Sequence, residues 1–339
     1  MEMDGSSLVS ICIPTYNRAE MVSKAIDSAL SQSYQNIEVI VVDNASHDDI
    51  ESVIAKYQDT RLMFYKNKKN LGQFGNFNRC IELSKGKYIH ILHSDDYIDS
   101  NFTKTCVEFM ESHPDVAMTF TSVQVLFNDT QKRNGIYDHD IVFSPPDGFR
   151  MLLETGNPIN CPSVMLKNEV YSSVGLFSFE YPYAGDYYQW LKISRHFNIA
   201  FVADALLFCR QGEHSESSQR LFKNPSGYMD NINIFIRIID ELGGDVSDYR
   251  RELNTAIRGH MRLCLFAGIM RSDWMTLFSP LVFMGFALNT WTLIHCESFG
   301  ERVRKCAEFF AILILGCGFI IPGGRNCLRK IFRLKEGQY

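Results

Sequence analysis

The stretch IEVIVVDNAS (37–46) is an apolar run that ends abruptly in polar residues, and two other parts of the chain repeat this pattern. They are LVSICIPTYN (8–17) and YIHILHSDD (88–96). Short apolar runs separated by amphipathic stretches predict buried strands that alternate with crossover helices around a mostly parallel sheet. Open α/β sheets bind ligands beyond the carboxyl ends of their strands. The sequence therefore predicts a doubly wound α/β fold with helices on both faces, whose site is built from PTYN, VDN and SDD.

The first hundred residues can be divided into elements from these patterns. Asn17 is expected to cap the first helix, and Ser46 and Asp49 are expected to form a capping box for the second. The predicted strands are residues 8–13, 37–42, 61–65 and 88–92, and a third helix is predicted at residues 73–84.

The composition excludes several classes of protein. With 46% hydrophobic and 22% charged residues in 339, the chain is neither disordered nor collagen-like. A net charge of -5 provides no basic field for nucleic acid. Ten cysteines without a C-x-x-C pair indicate reduced thiols. The start MEMDGSSLVS lacks a signal-peptide pattern, so we expect the catalytic body to stay in the cytosol.

The region from residue 226 onward is helical in pattern, with uncharged stretches at 275–296 and 309–324. The first is long enough to span a bilayer, and the second precedes the basic tail RNCLRKIFRLK (325–335). Charged residues between them make translocation costly, so a re-entrant or interfacial hairpin on anionic lipid is expected. This predicts a peripheral or monotopic protein at the cytoplasmic face of the membrane. The alternatives are a buried helical pair, a seam in a homo-oligomer, and an integral-membrane structural protein.

Three carboxylates at strand ends carry the predicted chemistry. Asp95 and Asp96 are adjacent, and two such groups repel unless a cation lies between them, which suits a divalent metal that also bridges phosphate oxygens. The alternative is a strand-to-helix turn in which Asp serves as a cap. Asp43 can accept hydrogen bonds from a base or ribose at the sheet crevice. The sequence has neither a G-x-G-x-x-G turn after the first strand nor a P-loop motif, which argues against NAD binding and P-loop phosphoryl transfer.

Three segments together resemble the nucleotide-sugar half of the family 2 inverting glycosyltransferases. They are VSICIPTYNR (9–18), QSYQNIEVIVVDNASHD (32–48) and NLGQFGNFNRCIELSKGKYIHILHSDD (70–96), in the family's order and spacing. The resemblance covers almost the whole first hundred residues. It implies a GT-A fold, a donor sugar on a nucleoside diphosphate, with UDP the expected nucleotide, and a divalent cation, Mg or Mn.

The resemblance also implies roles for individual residues. Asp43 would contact the base, Asp95 would lie near the ribose and the metal, and Asp96 would be the principal metal ligand. The chain departs from the family pattern in two places: Asn44 stands where many members have a second Asp, and His93 replaces the first Asp of the D-x-D signature. The other residues expected to bind the nucleotide sugar are Pro14, Thr15, Tyr16, Asn44 and Asn70.

The second half of the chain must supply a base for the acceptor. An attacking hydroxyl loses its proton as the new bond forms, a task for a carboxylate on the face opposite the leaving group. Asp186 in YAGDYYQWLKIS (183–194) resembles the base of the family's E-D motif, with Gly185 in place of the Glu. The alternative is that Asp186 only caps a helix.

The segment FCRQGEHSES (208–217) resembles the loop that follows the last core strands in this family. His214 is the candidate there for a ligand to the metal or the diphosphate. Arg210 would bind the leaving diphosphate through charge-assisted hydrogen bonds.

The sequence thus predicts three regions: residues 1–97 as the nucleotide-sugar-binding half of a GT-A domain, 98–225 as its acceptor-binding half, and 226–339 as a helical region at the membrane. We expect an inverting, metal-dependent glycosyltransferase that transfers a hexosyl group to a hydroxyl of a saccharide or polyprenyl-linked saccharide in surface polysaccharide assembly. The alternatives are an inactive glycosyltransferase-like binding module and a sugar nucleotidyltransferase, although the latter's Gly-rich phosphate loop is absent from the sequence.

Overall fold

The computed structural model describes residues 6–271, with gaps at 128–129, 135–136 and 212–226. These residues form an α/β structure with a single mixed sheet. The strands are β1 (Val9–Thr15), β2 (Ile37–Asp43), β3 (Leu62–Lys66), β4 (Tyr88–Ile91), β5 (Tyr97–Ile98), β6 (Val116–Phe127), β7 (Thr130–Asn134), β8 (Ile141–Phe143), β9 (Met165–Lys167) and β10 (Asn198–Gln211). The α-helices are α1 (Ala19–Leu30), α2 (Ile50–Ile54), α3 (Gln73–Leu83), α4 (Phe102–Ser112), α5 (Asp147–Thr155), α6 (Val170–Val174), α7 (Gly185–His196), α8 (Gly227–Leu242) and α9 (Arg250–Arg271).

The strands pair in the order β3-β2-β1-β4-β9-β6-β10-β5, with β7 beside β6 and β8 beside β10. β3, β2, β1 and β4 are mutually parallel, as the sequence predicts. In the second half, the long strands β6 and β10 are parallel to each other, but β9 is antiparallel to both β4 and β6, β5 and β8 are antiparallel to β10, and β7 is antiparallel to β6. The sheet is therefore mixed there, and the prediction of a mostly parallel sheet is confirmed for the first half alone.

The central strands and the first helix follow the predicted hydrophobic pattern. β1 and β2 are buried along their whole length, as expected for parallel strands covered on both faces. α1 buries Val22, Ala25, Ile26 and Ala29, which recur at helical spacing. Full burial of one Val or Ile side chain stabilises the fold by roughly 1.5–3 kcal/mol. The packed sheet therefore provides a rigid base for the polar residues at its edge.

The loop between β1 and α1 differs from the predicted cap. Asn17 has a left-handed backbone, with φ 51°, and its Oδ1 accepts a hydrogen bond from the His47 N–H at 2.9 Å. The Ala19 N–H at the start of α1 donates instead to Asp48 Oδ2 at 2.7 Å. The expected capping box also differs, because Asp49 caps α2 through Ser52 while Ser46 donates to Asp43. These contacts hold the loops after β1 and β2 together.

The chain divides into two compact units, Met1–Asp230 and Asn231–Tyr339. In the second unit, Asn231 Nδ2 of α8 lies 3.3 Å from His260 Nδ1 of α9. None of the described helices is long and apolar enough to cross a bilayer. The expected membrane hairpin at residues 275–296 and 309–324, its basic tail and His214 all lie outside the described residues.

Candidate active site

The first part of the site lies where β1 and β2 end side by side. Thr15 and Asp43 are partners in the parallel register and are 2% and 0% exposed. The Thr15 hydroxyl has no hydrogen-bond partner in the described part of the chain, and an unsatisfied buried group costs about 1–3 kcal/mol. Tyr16, directly after the strand, is 39% exposed, whereas Pro14 is buried within β1. An aromatic face beside an unsatisfied hydroxyl is suited to a planar base.

The Asp43 carboxylate is held in place by its own loop. It accepts hydrogen bonds from the Ser46 N–H at 3.1 Å and from the Ser46 hydroxyl. Lys66 Nζ lies 3.9 Å from the other carboxylate oxygen. These contacts fix the orientation of the carboxylate at the end of β2, and its remaining lone pairs can accept hydrogen bonds from a ligand.

Asn44 uses its whole hydrogen-bonding capacity within the protein. Its Nδ2 donates to Asn70 Oδ1 at 2.9 Å and to the Gly72 carbonyl at 3.1 Å. Its Oδ1 accepts from the Leu71 N–H at 2.9 Å and from Asn67 Nδ2 at 3.1 Å. Since a side-chain amide has two donor hydrogens and two acceptor lone pairs, Asn44 serves to fix the loop before α3. Direct contact of Asn44 or Asn70 with a nucleotide stays a prediction.

Asp95 forms an ion pair with Arg18, a residue that the sequence does not single out. Arg18 Nη1 lies 2.6 Å from Asp95 Oδ2, and each side chain is 17% exposed. Partial burial strengthens such a pair relative to one at the surface. The contact brings a guanidinium from the PTYNR segment to the carboxylate pair, which lies more than seventy residues later in the sequence. No local sequence pattern reveals a pairing over that separation.

Asp96 is the more deeply buried of the two carboxylates, at 3% exposure. It accepts a hydrogen bond from the Arg210 N–H at 2.9 Å. Burial is the main cause that raises its pKa, and the neighbouring charge of Asp95 raises it further. A buried carboxylate with a like charge beside it favours a cation as its partner.

His93 completes a cluster that can hold a metal. One ligand atom each from His93, Asp95 and Asp96 lies within 4.8 Å of the others. Two carboxylates and an imidazole fit a divalent cation, and the nitrogen ligand suits Mn²⁺ better than Mg²⁺, which prefers oxygen. In the family pattern His93 stands only for the loss of an acid. Imidazole is itself a common metal ligand, which is the signal in the sequence that points to His93 as part of the site.

Asp186, the candidate base, lies in the first turn of α7. Ala184 is the N-cap residue, so Asp186 does not occupy the cap position. Its Oδ1 accepts from the Tyr187 N–H at 2.7 Å, and its Oδ2 lies 3.4 Å from the donor Asn157 Nδ2. Burial raises the pKa of Asp186 to about 6, although these hydrogen bonds oppose the increase. The group is therefore ionised at neutral pH yet basic enough to take up a proton.

An aromatic cluster occupies the space that a side chain at position 185 would need. A Cβ added at Gly185 would lie 2.7 Å from Cε2 of Phe74. The Phe74 ring stacks on Phe177, with centroids 5.5 Å apart, and meets Phe77 edge to face at 5.6 Å. Phe177 in turn contacts Trp190 of α7. No side chain at position 185 fits here unless Phe74 moves.

Ring contacts connect the candidate metal cluster to the segment that carries the candidate base. The His93 ring lies 5.6 Å from the ring of Phe77, which meets Phe74 at the same distance. Phe74 in turn lies against Gly185, the residue before Asp186. Two side chains of α3 thus link His93 to the start of α7, although these segments lie far apart in the sequence.

Arg210 provides a cation beside this region. Its guanidinium lies 5.8 Å from the centre of the Tyr97 ring, and its charge opposes the rise in the pKa of Asp96. The buried Nη2 has no hydrogen-bond partner in the described part of the chain. An unsatisfied guanidinium nitrogen is suited to a phosphate oxygen.

Solved structures place this fold among the GT-A-like transferases. Staphylococcus aureus TarS 1–349 in complex with UDP-GlcNAc has a TM-score of 0.55 at 15% identity, covering 92% of this chain and 83% of that chain. The mannosyltransferase PcManGT from Pyrobaculum calidifontis, in complex with GDP-Man and Mn²⁺, has a TM-score of 0.54 at 15% identity, covering 91% and 86%. Identities this low show the fold alone.

Sequence relatives identify the family. Residues 10–168 match Glycosyl transferase family 2. The Escherichia coli enzyme WfaP, a UDP-Glc:alpha-D-GlcNAc-diphosphoundecaprenol beta-1,3-glucosyltransferase, is 33% identical over 187 residues, which cover 55% of this chain and 70% of that enzyme. The chain therefore belongs to glycosyltransferase family 2, as its motifs predict.

Proposed function

We propose that this chain is an inverting glycosyltransferase that uses a UDP-sugar donor and a saccharide acceptor linked through a diphosphate to a polyprenol. The observation that carries the proposal is the packing that links the candidate metal cluster to the segment of the candidate base. The His93 ring lies 5.6 Å from the ring of Phe77, which meets Phe74 at 5.6 Å. Phe74 lies against Gly185, the residue before Asp186, and Asp186 is the candidate base. The printed activity of WfaP supports the donor and acceptor classes.

Different residues along the edge of the sheet bind different parts of the donor. Thr15 and Asp43 bind the base or ribose, and the Tyr16 ring covers the base. Asp95, Asp96 and His93 would hold the cation, which supplies positive charge to the diphosphate when bound. Arg210 directs its unsatisfied guanidinium nitrogen to a phosphate oxygen.

Transfer is a single displacement. The acceptor hydroxyl oxygen forms a bond to the anomeric carbon while the bond from that carbon to the diphosphate oxygen breaks. Asp186 takes the hydroxyl proton, and the electron pair of the broken bond leaves with the nucleoside diphosphate. Attack from the side opposite the leaving group inverts the anomeric configuration. Asn157 keeps the accepting oxygen of Asp186 oriented.

The site is proposed to act at the cytoplasmic face of the membrane, where a polyprenyl-linked acceptor is presented. The supporting features are the uncharged stretches at 275–296 and 309–324 and the basic tail that follows them. Flotation of the full chain with anionic liposomes tests this placement. Binding that falls when Arg329 and Lys330 are both replaced by Glu supports the membrane placement. A full-length protein that does not float with the liposomes contradicts it.

The reaction is tested with the purified full chain, Mn²⁺, a panel of UDP-, dTDP- and GDP-sugars, and a synthetic α-D-GlcNAc diphosphate that carries an alkyl chain. We expect UDP release, addition of one hexose to the acceptor by mass spectrometry, and a β linkage from an α-linked donor by NMR. Retained UDP affinity without transfer or donor hydrolysis would identify a binding module instead. An α-linked product would contradict the inverting mechanism.

A further inference from the structure

Phe179 is an exposed aromatic side chain on the segment that leads into α7. It is 68% exposed, more than any other large apolar side chain in the described part of the chain. Single exposed apolar residues are common and need no explanation by themselves. The position and rigidity of this one point to a function.

The segment that carries Phe179 is fixed on both sides of it. Asn78 of α3 accepts a hydrogen bond from the Phe177 N–H and donates one to the Phe177 carbonyl, both at 3.0 Å. The buried Asp230 carboxylate accepts from the N–H groups of Tyr183 and Ala184, at 2.6 and 3.2 Å. These hydrogen bonds hold the backbone in place on both sides of Phe179.

The Phe179 ring and the residue before the candidate base contact neighbouring residues of α3. A Cβ added at Gly75 would lie 3.3 Å from Cε1 of Phe179, so the ring covers the first turn of α3. The next residue back, Phe74, packs against Gly185. Phe179 and Gly185, which precedes Asp186, are thus joined through adjacent residues of α3.

We propose that Phe179 is a stacking platform for a sugar ring of the acceptor, an inference that rests on the proposed function. The apolar face of a pyranose can lie on an aromatic ring and remove apolar surface of both from water. The acceptor is the favoured occupant because Asp186 must face the attacking hydroxyl. The nucleotide, in contrast, is placed at Thr15 and Asp43, on the strands.

Two substitutions and a matched control separate this role from a general effect on the protein. Phe179→Ala removes the ring, Phe179→Trp retains an aromatic face, and Leu176→Ala removes an exposed apolar side chain from the same segment. Leu176 is 37% exposed. All three changes are at exposed positions, so thermal unfolding midpoints near that of the wild type are expected.

Binding is measured by titration calorimetry, with UDP and then with the α-D-GlcNAc diphosphate carrying an alkyl chain, on UDP-loaded full-length protein. Loss of one stacked face should weaken saccharide binding by roughly 10-fold in Phe179→Ala. Phe179→Trp and Leu176→Ala should stay within about 3-fold of the wild type, with UDP affinity unchanged in every variant.

The outcomes distinguish this proposal from the proposed function. Saccharide binding that depends on Phe179 in a protein that transfers no sugar would support the platform and contradict the transferase reaction. Unchanged saccharide affinity in Phe179→Ala, or an equal loss in Leu176→Ala, would overturn the platform. If the wild type binds UDP and transfers sugar, and Phe179→Ala binds the saccharide equally well, the platform is overturned while the proposed function stands.

Discussion

Gly185 and the ring of Phe74 are in such close contact that a Cβ at position 185 would lie 2.7 Å from Cε2 of the ring. The family's E-D motif places a Glu at this position, and here an aromatic ring uses that space. Asp186, which follows in the first turn of α7, is consequently the carboxylate of this pair that remains.

Restoring the Glu should therefore destabilise the protein. Gly185→Glu forces Phe74 into a packed cluster, and overpacking of this kind costs about 1–3 kcal/mol. The thermal unfolding midpoint reports the loss. Combining the change with Phe74→Ala should recover part of it in a double-mutant cycle. Strictly additive effects would show that the two positions do not interact.

Replacing Arg18 should strengthen metal binding in the absence of nucleotide. The Arg18 guanidinium occupies one oxygen of Asp95 at 2.6 Å, so Arg18→Gln frees a ligand atom and removes a nearby positive charge. Mn²⁺ affinity, followed by electron paramagnetic resonance, should rise severalfold. Arg79→Gln, which disrupts an exposed pair with Glu82, is the control and should leave it unchanged. Weaker Mn²⁺ binding in Arg18→Gln would show that Arg18 does not compete with the metal for Asp95.

Removing a cluster ligand should have the opposite effect. Asp96→Asn keeps the shape of a buried side chain but removes its charge, so we expect Mn²⁺ affinity to fall at least 10-fold, by about 1.4 kcal/mol or more. His93→Phe should also weaken Mn²⁺ binding and should abolish any nitrogen coupling in the resonance spectrum. Glu82→Gln serves as the control because that carboxylate is exposed. Unchanged affinity in both cluster variants would rule out the assigned site.

The raised pKa of Asp186 predicts how both kcat and the stability of the protein depend on pH. Transfer requires the ionised carboxylate, so kcat should rise as pH increases through about 6. Stability should change in the other direction. Because burial raises the folded pKa above the ordinary 3.8, the favourable contribution of this group is complete below pH about 4 and is lost as pH rises through about 6.

Burying an ionised carboxylate costs free energy at neutral pH, and Asp186→Asn removes that cost. The variant should therefore be more stable than the wild type at pH 7.5, by at most about 3 kcal/mol. At pH 4 the two proteins should have similar stability. Paired thermal unfolding measurements at the two pH values check the sign. A variant that is equally destabilised at both would show that the carboxyl is not strained by burial.

The sequence predicts the parts of the site that follow from local pattern. Apolar runs place β1 and β2, and the polar residues that follow buried strands single out Asp43 and Asp96 as candidates, both of which the structure buries. It does not predict contacts that join distant segments, such as Arg18 with Asp95 or the cap of α1 by Asp48. These depend on how the loops meet after the sheet has formed. Short antiparallel strands such as β9 are also missed, because three residues carry no periodicity.

The assignment of Asp186 as the base is tested most directly by single-turnover transfer with Asp186→Asn, at saturating donor and acceptor and pH 7.5. We expect a rate at least about 100-fold below that of the wild type, since a general base contributes roughly 10²–10⁴-fold, with calorimetric affinities for the UDP-sugar and Mn²⁺ preserved. A variant that transfers sugar at close to the wild-type rate would contradict it.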